Sequence, residues 1–585
     1  MNRRLIVLSL YVFSLQLAMA QVPCISGKAG EYPCNQITLL SHLSAEDLLG
    51  VDKDLNDLWG WEDPESSKEY AIVGLTDGVT FVDVTDPVQP IVIGKLKESH
   101  LQSGRILHGE SAWRDIKVYK NHAYIVSDGN SDHGMQVFDL TKLREYDGTA
   151  LDFEQDGFYD GIGSSHNIVI NEETGFAYIV GARGATVCGQ GGMHILDISD
   201  PKNPVYEACF DNDGYTHDAQ CVIYRGPDSK YNGQEICFNS NEDTFTIVNV
   251  DDKSNMDMIS RLTYSEVQYT HQGWLTEDHK YFLMNDELDE GEFRFNPRTL
   301  IWNIEELDNP ILIGSFYNEV SAIDHNLYTK GDLVFESNYG SGLRVLSSER
   351  ISEGVLREVA FFDTHPQRNV IAFEGSWSNY PYFKSGNIIV SDLFNGLFIV
   401  RLDTTDFIVN HPTDVQSFLG DNTTMTIETK ENAANYEWQD YKSQTRMFLP
   451  LTEGDFFRNV STASLSIKLD QNIEGKLLRC KVTSPAGNIY YSYSAIIDIE
   501  GVEPLSSPSL EAFNLYPNPT SNYIGVTVRQ PANYQIIDFA GKIILEGYLK
   551  EGKNEITISS LRTGQYIFHG QHTDSQTFNG KFIKN

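Results

Sequence analysis

Positive charge is scarce in this chain: 44 Lys and Arg stand against 82 Asp and Glu, a formal net charge of −38. Such a field repels phosphate backbones and excludes nucleic acid as a partner. Its first effect is to keep the surface solvated, and attraction of divalent cations is the second. Long apolar runs are absent after the first twenty residues, which excludes a membrane-spanning helix. Helical periodicity is nearly absent as well. There is no Gly-rich phosphate loop, no G-x-S-x-G elbow and no H-E-x-x-H pair, so the common signatures of nucleotide enzymes, α/β-hydrolases and zinc proteases are missing.

The first twenty residues have the composition of a signal peptide. Arg3 and Arg4 supply the charged start, Leu5 to Leu17 the apolar stretch, and Ala18-Met19-Ala20 the small-residue cleavage site. No Cys follows directly, so a lipid-anchored lipoprotein is not expected. Seven cysteines in an exported chain can form disulfides. Cys24 and Cys34 lie close together near the mature N-terminus. Cys221 and Cys237 flank a loop between two strand-like runs, and Cys188 with Cys209 makes a third plausible pair. Cys480 is then left over, although sequence alone does not fix connectivity.

What the chain has in quantity is a repeat. A short β-branched run, usually preceded by Gly and often followed by Asp, recurs as GVTFVDVTDP, GMQVFDLTKL, GMHILDISDP, TFTIVNVDDK, TLIWNIEELDNP, GLRVLSSERI and GLFIVRLD. The copies begin near Gly78, Gly134, Gly192, Thr244, Thr299, Gly342 and Gly396. Several are followed by a Pro-bearing turn and a further apolar strand. A two-residue marker precedes the middle copies: Arg114-Asp115, His166-Asn167, His217-Asp218, His271-Gln272, His325-Asn326 and Trp377-Ser378. Neighbouring markers lie 51 to 54 residues apart. Each unit then holds about four short strands, the content of one propeller blade. Seven units between about residues 40 and 403 predict a closed ring, because a lone blade cannot bury both faces of its sheet. The first unit, begun by Leu58 to Trp61, is the most divergent.

His166, His217, His271 and His325 therefore occupy one repeat position, at the start of an innermost strand, and should converge on one mouth of the central channel. With Arg114, Asp115, Asp218 and Trp377 they form the candidate ligand site. Neutral imidazoles beside carboxylates suit a transition metal such as zinc, and the four histidines are the candidate ligands. The other role for such a pair is structural, tying blade to blade through backbone hydrogen bonds, and a repeated fold repeats that device. Two acidic stretches, Asp211-Asn212-Asp213-Gly214 and Asn285 through Glu290, offer oxygen ligands for calcium. Neither has the EF-hand spacing, so both are expected to be solvated turns.

The runs SSHNIVINEETGFAYIVGA, DGYTHDAQCVIY, EICFNSNEDTFTIVNV, YTHQGWLTEDHKYFLMNDELDE and IDHNLY resemble the LVIVD-repeat propellers of the choice-of-anchor B family, over nearly all of Cys24 to Asp403. The resemblance implies an exported propeller whose attachment varies between members, and no settled activity. After Asp403 the period stops. Trp438 in NYEWQDY and Cys480 in LLRCKVTSPAGNIYYS resemble the core of an immunoglobulin-like sandwich, with the earlier Cys missing around Ile427. A Pro- and Ser-rich linker follows. FNLYPNPTSNYIGVTV, YQIIDFAGKIILEG and NEITISSLRTGQYIF then resemble the type A sorting domain of the type IX secretion system. That resemblance implies passage across the outer membrane, with release or attachment to surface polysaccharide.

The expected organisation is all-β: signal peptide 1–20, seven-bladed β-propeller 21–405, immunoglobulin-like domain 406–500, linker 501–512 and a small C-terminal β-sandwich sorting domain 513–585. The expected location is outside a Gram-negative outer membrane, secreted or on the cell surface. The expected partners are the type IX machinery and an extracellular ligand that the sequence does not name. A non-catalytic binding module is the leading function. A metal-dependent hydrolase or lyase at the histidine mouth is the rival.

Overall fold

The computed structural model describes residues 21–97, 110–129, 133–185, 187–403, 407–442, 447–500 and the strands and short connections of 515–584. The expected signal peptide over 1–20 and the expected linker over 501–512 lie outside the described residues. Residues up to Gly501 form one compact unit, and Val502–Asn585 form a second.

Seven antiparallel sheets, each built on four strands, follow one another along the chain. Their innermost strands are Leu55–Glu62, Arg114–Tyr119, Asn167–Asn171, Asp218–Ile223, Thr270–Leu275, Leu327–Lys330 and Ser376–Tyr380. Each innermost strand touches the next, and the seventh touches the first, so the sheets close into a ring. The recurring β-branched run is the third strand of every blade, as in Gly78–Asp83, Met193–Asp197 and Gly396–Leu402. Its two faces pack against the blades on either side, which is why it shows an unbroken apolar run rather than alternation. Phe81 stacks on Phe138 of the next blade at 4.6 Å, and Phe245 stacks on Phe282 at 4.7 Å.

The Gly before that strand has a steric cause. At Gly342 (φ +73°) a Cβ would lie 2.3 Å from the Phe362 carbonyl, and at Gly396 (φ +103°) 2.1 Å from the Leu43 carbonyl. In both blades the outermost strand passes too close for a side chain. A register shift between third and fourth strands recurs at Phe81/Val82, Ile195/Leu196, Ile247/Val248, Ile301/Trp302 and Val345/Leu346. Such bulges increase the local twist that a blade needs to lie against its neighbours.

The ring is closed by its own N-terminus. Tyr32–Asn35 extends blade 6 by pairing with its outermost strand, Cys34 opposite Phe362. Ile37–Leu43 then supplies the fourth strand of blade 7, Ile37 opposite Leu402. Three disulfides are present, Cys24–Cys34, Cys188–Cys209 and Cys221–Cys237, and Cys480 is free and buried. Cys221 and Cys237 sit directly opposite each other on neighbouring strands.

Beyond the ring lies the immunoglobulin-like sandwich. One sheet holds Asn435–Lys442 and Leu477–Thr483, with Trp438 opposite Cys480. The other holds Asn422–Thr426, Ser464–Lys468 and Phe457–Arg458. Trp438 is wholly buried and its Nε1 donates to the Thr462 carbonyl at 2.9 Å. The sandwich rests on blade 6: the Tyr493 hydroxyl donates to Glu349 at 2.8 Å, and the Arg357 guanidinium lies 4.6 Å from the Tyr493 ring. The second unit is two small sheets around Ile524, Val526, Ile536 and Phe568. Among the described residues, no helix is long and apolar enough to cross a membrane.

Candidate functional site

At the mouth where the innermost strands begin, the repeat position is occupied in blade order by Asn56, Arg114, His166, His217, His271, His325 and Trp377. Successive ring centroids are 4.3 Å apart for His166 and His217, 4.3 Å for His217 and His271, 4.5 Å for His271 and His325, and 4.7 Å for His325 and Trp377. Five aromatic rings thus make one unbroken arc. Tyr269 flanks His217 at 5.1 Å and Tyr339 flanks His325 at 4.8 Å.

Much of the hydrogen bonding along the arc runs from blade to blade. His217 Nδ1 bonds the His271 carbonyl at 2.9 Å, and His325 Nδ1 bonds the Trp377 carbonyl at 2.6 Å. The second residue of the marker does the same in three blades. Asp115 accepts from the Ile168 N–H, Asn167 donates to the His217 carbonyl, and Gln272 both accepts from and donates to the Leu327 backbone. The tie and the convergence coexist, because a ring tethered through Nδ1 still presents Nε2 to the mouth. His166 instead bonds Asp128 through Nδ1 at 3.1 Å. Arg114 bonds back to the first blade: it donates to the Leu75 and Thr76 carbonyls and lies 3.1 Å from His133 Nε2.

Two carboxylates invisible to the repeat reach the arc from the loop after the second strand of their blades. Asp128 follows His122–Ser127, and Glu287 follows Tyr281–Asp286. Aligning the blades on their second strands would have found both. Glu287 lies 3.7 Å from His271 Nε2 and 3.6 Å from His325 Nε2, and its Oε1 accepts from the Tyr339 hydroxyl at 2.9 Å. One donor atom from each of His271, Glu287 and His325 fits within 4.8 Å of the others. Burial lifts the Glu287 carboxyl to about 7. Burial also holds His325 down to about 3, and pushes His217 and His271 well below the usual imidazole range, so the rings are neutral.

Below the mouth, alternate residues of the innermost strands line the channel. A cavity of about 120 Å³ is bounded by Asp57, Asp115, Asp218, Lys117, Trp59 and Trp274, among others. Asp57 marks the divergent first blade: Asn56-Asp57 stands where the other blades carry their marker pair. Lys117 Nζ bonds Asp115 at 2.5 Å and lies 4.5 Å above the Trp59 ring. Burial, then Asp115, raises Asp218 to about 7. Asp115 and Asp218 therefore belong to the channel wall beneath the arc, not to the arc itself.

The first acidic stretch, 211–214, is a turn with Asn212 exposed, as expected, but its Asp213 and the carboxylates of the second stretch turn inward. Asp213 is filled by protein donors, accepting from Asn241 at 2.8 Å, Thr244 at 3.0 Å, Thr246 and Arg261. Asp286, Asp289 and Glu290 are fully buried. Asp286 accepts from the Tyr264 hydroxyl and the Gln268 and Tyr269 N–H groups, and Asp289 pairs with Arg298 at 2.5 Å. Backbone donors and one buried guanidinium make this burial tolerable, which residue type alone does not reveal.

The fold and the mouth together define an all-β, disulfide-bonded propeller with a histidine arc at one end of its channel. Residues 514–585 match the family described as secretion system C-terminal sorting domain. That tail marks the chain for type IX export, as a secreted or cell-surface protein. No curated protein matches the chain. Among solved structures, a crystal structure of a protein from Lactobacillus plantarum is similar at 12% identity and a TM-score of 0.36, covering 71% of this chain and 100% of that one.

Proposed function

We propose that the protein is a non-catalytic binding propeller of the choice-of-anchor B type, displayed outside the outer membrane, with its ligand site at the histidine mouth. The proposed processing removes residues 1–20. The proposed division is a propeller to residue 405, a sandwich to residue 500 that serves as a spacer, a linker over 501–512, and the sorting domain from 513. The observation that carries the reading is the unbroken arc from His166 to Trp377. It sets aromatic faces beside hydrogen-bonding edges and carboxylates, the combination that engages hydroxyl-rich ligands. The ligand class we assign is therefore a surface polysaccharide.

The test is calorimetric titration of the full secreted protein with polysaccharide purified from the surface of the producing cell. Saturable binding is expected, weakened about tenfold or more by Trp377→Ala, as for an aromatic anchor. The recovered polysaccharide should keep its length. Absence of binding overturns the ligand assignment, and shortened chains would replace the binding role with the hydrolase role.

A further inference from the structure

We propose that His271, Glu287 and His325 form a binding site for one divalent transition-metal ion, of the zinc class, within the arc. The inference rests on reading the mouth as the ligand site and adds a specific ion to it.

The geometry carries it. The Glu287 oxygens stand 3.7 and 3.6 Å from the two Nε2 atoms, too far for hydrogen bonds. Donors each ~2.1 Å from a shared tetrahedral centre lie ~3.4 Å apart, so each imidazole stands within a few tenths of an ångström of the spacing to Glu287 that co-ligands of one ion need. The supporting groups are already in place. His325 Nδ1 is tied to the Trp377 carbonyl at 2.6 Å, which fixes the tautomer and leaves the Nε2 lone pair towards Glu287. Tyr339 holds Glu287 Oε1 at 2.9 Å. His271 is 2% exposed and turns its Nε2 to Glu287, and an ion there would leave Nδ1 to carry the ring proton. Burial favours neutral imidazoles, the ligating form, and a cation would offset the cost of an ionised Glu287 in the same place. His166 and His217 stand apart from this set. The first bonds Asp128, and the second falls outside the group whose donor atoms lie within 4.8 Å of one another. Two imidazoles and one carboxylate leave coordination positions open, through which a hydroxyl-bearing ligand at the mouth could reach the ion.

The experiment uses the full secreted protein, stripped with a chelator and then titrated with Zn²⁺ by calorimetry and with Co²⁺ by visible absorption. One equivalent is expected, with the d–d bands of a low-coordinate Co²⁺ site. Glu287→Gln preserves shape and the Tyr339 contact, so it should fold normally. It and His325→Ala should each weaken binding more than 100-fold, and Tyr339→Phe about 10- to 100-fold. His217→Ala should still bind one equivalent. No saturable site, or affinity unmoved by Glu287→Gln, overturns the proposal. Repeating the polysaccharide titration with chelator and with Zn²⁺ separates the two readings. Polysaccharide binding without any metal binding defeats the ion alone. Metal binding without polysaccharide affinity defeats the assigned ligand alone.

Discussion

Replacing Trp438 with Ala should open the immunoglobulin-like sandwich while leaving the ring intact. The sandwich has no disulfide, since Cys480 is the free cysteine, and Trp438 lies opposite it, wholly buried. A buried indole of ~200 Å² contributes about 5 kcal/mol at ~25 cal/mol per Å². Removing it also leaves the Thr462 carbonyl without its 2.9 Å donor, a further cost of about 1 kcal/mol. Partial collapse of the cavity offsets some of this, so the expected loss is about 3–5 kcal/mol. Cys480 is a built-in reporter, because its thiol is buried and pushed up to about 12 by that burial. A thiol reagent should therefore label the native protein slowly, and only through opening of the sandwich. At 1.4 kcal/mol per factor of ten, Trp438→Ala should speed labelling by roughly 10²–10⁴-fold. Trp438→Phe should give a much smaller rise. Fast labelling of the unaltered protein, or a rate indifferent to Trp438→Ala, would refute the claim that packing around this indole replaces the missing bridge.

The Cys221–Cys237 bond closes a loop of sequence separation 16, so replacing both with Ala should cost about 3 kcal/mol in a denaturant melt, and non-reducing peptide maps should show the two peptides linked. Free thiols at both positions would contradict this. Burial raises the Asp63 carboxyl, but Arg144, Ser66 and the Glu65 N–H outweigh it and bring it down to about 2. A folded pKa below the unfolded ~3.9 stabilises above pH 4 and ceases to as pH falls towards 2, so Asp63→Asn should cost about 2 kcal/mol at pH 7. That gap should narrow between pH 5 and pH 3, and a gap constant across that range would count against the pairing. Removing residues 513–585 should trap a folded protein in the periplasm. Normal amounts of the truncated chain at the cell surface would defeat the role given to the tail.

The ring was legible because each blade repeats the same physical problem. A third strand packed on both faces must be apolar throughout, and the Gly before it must yield to a neighbouring carbonyl. Those constraints write themselves into the sequence at Gly78, Gly342 and Gly396. The histidine positions were legible for the same reason, since a strand start recurs once per blade. What the sequence hid lies off the marker. Glu287 and Asp128 stand just after the second strand, where other blades carry residues such as Gly181, Asn241 and Leu393. Asn56-Asp57 occupies the marker position without a histidine to announce it. The inward turn of Asp286, Asp289 and Glu290 depends on Tyr264 and Arg298, residues that no local pattern connects to them.

The strand that closes the ring has a bearing on when the protein can become whole. Ile37–Leu43 leaves the ribosome first, yet its partner, Gly396–Leu402, is made last among the blades. Bringing the two together across some 360 residues costs about 5 kcal/mol in loop entropy, so the seam forms only after the intervening blades have compacted and shortened the span. A chain broken off before residue 396 is left with open strand edges at the gap. It also lacks the sorting tail, which lies further along. Completion of the circle and eligibility for export thus depend on the same end of the polypeptide, and an unfinished copy possesses neither.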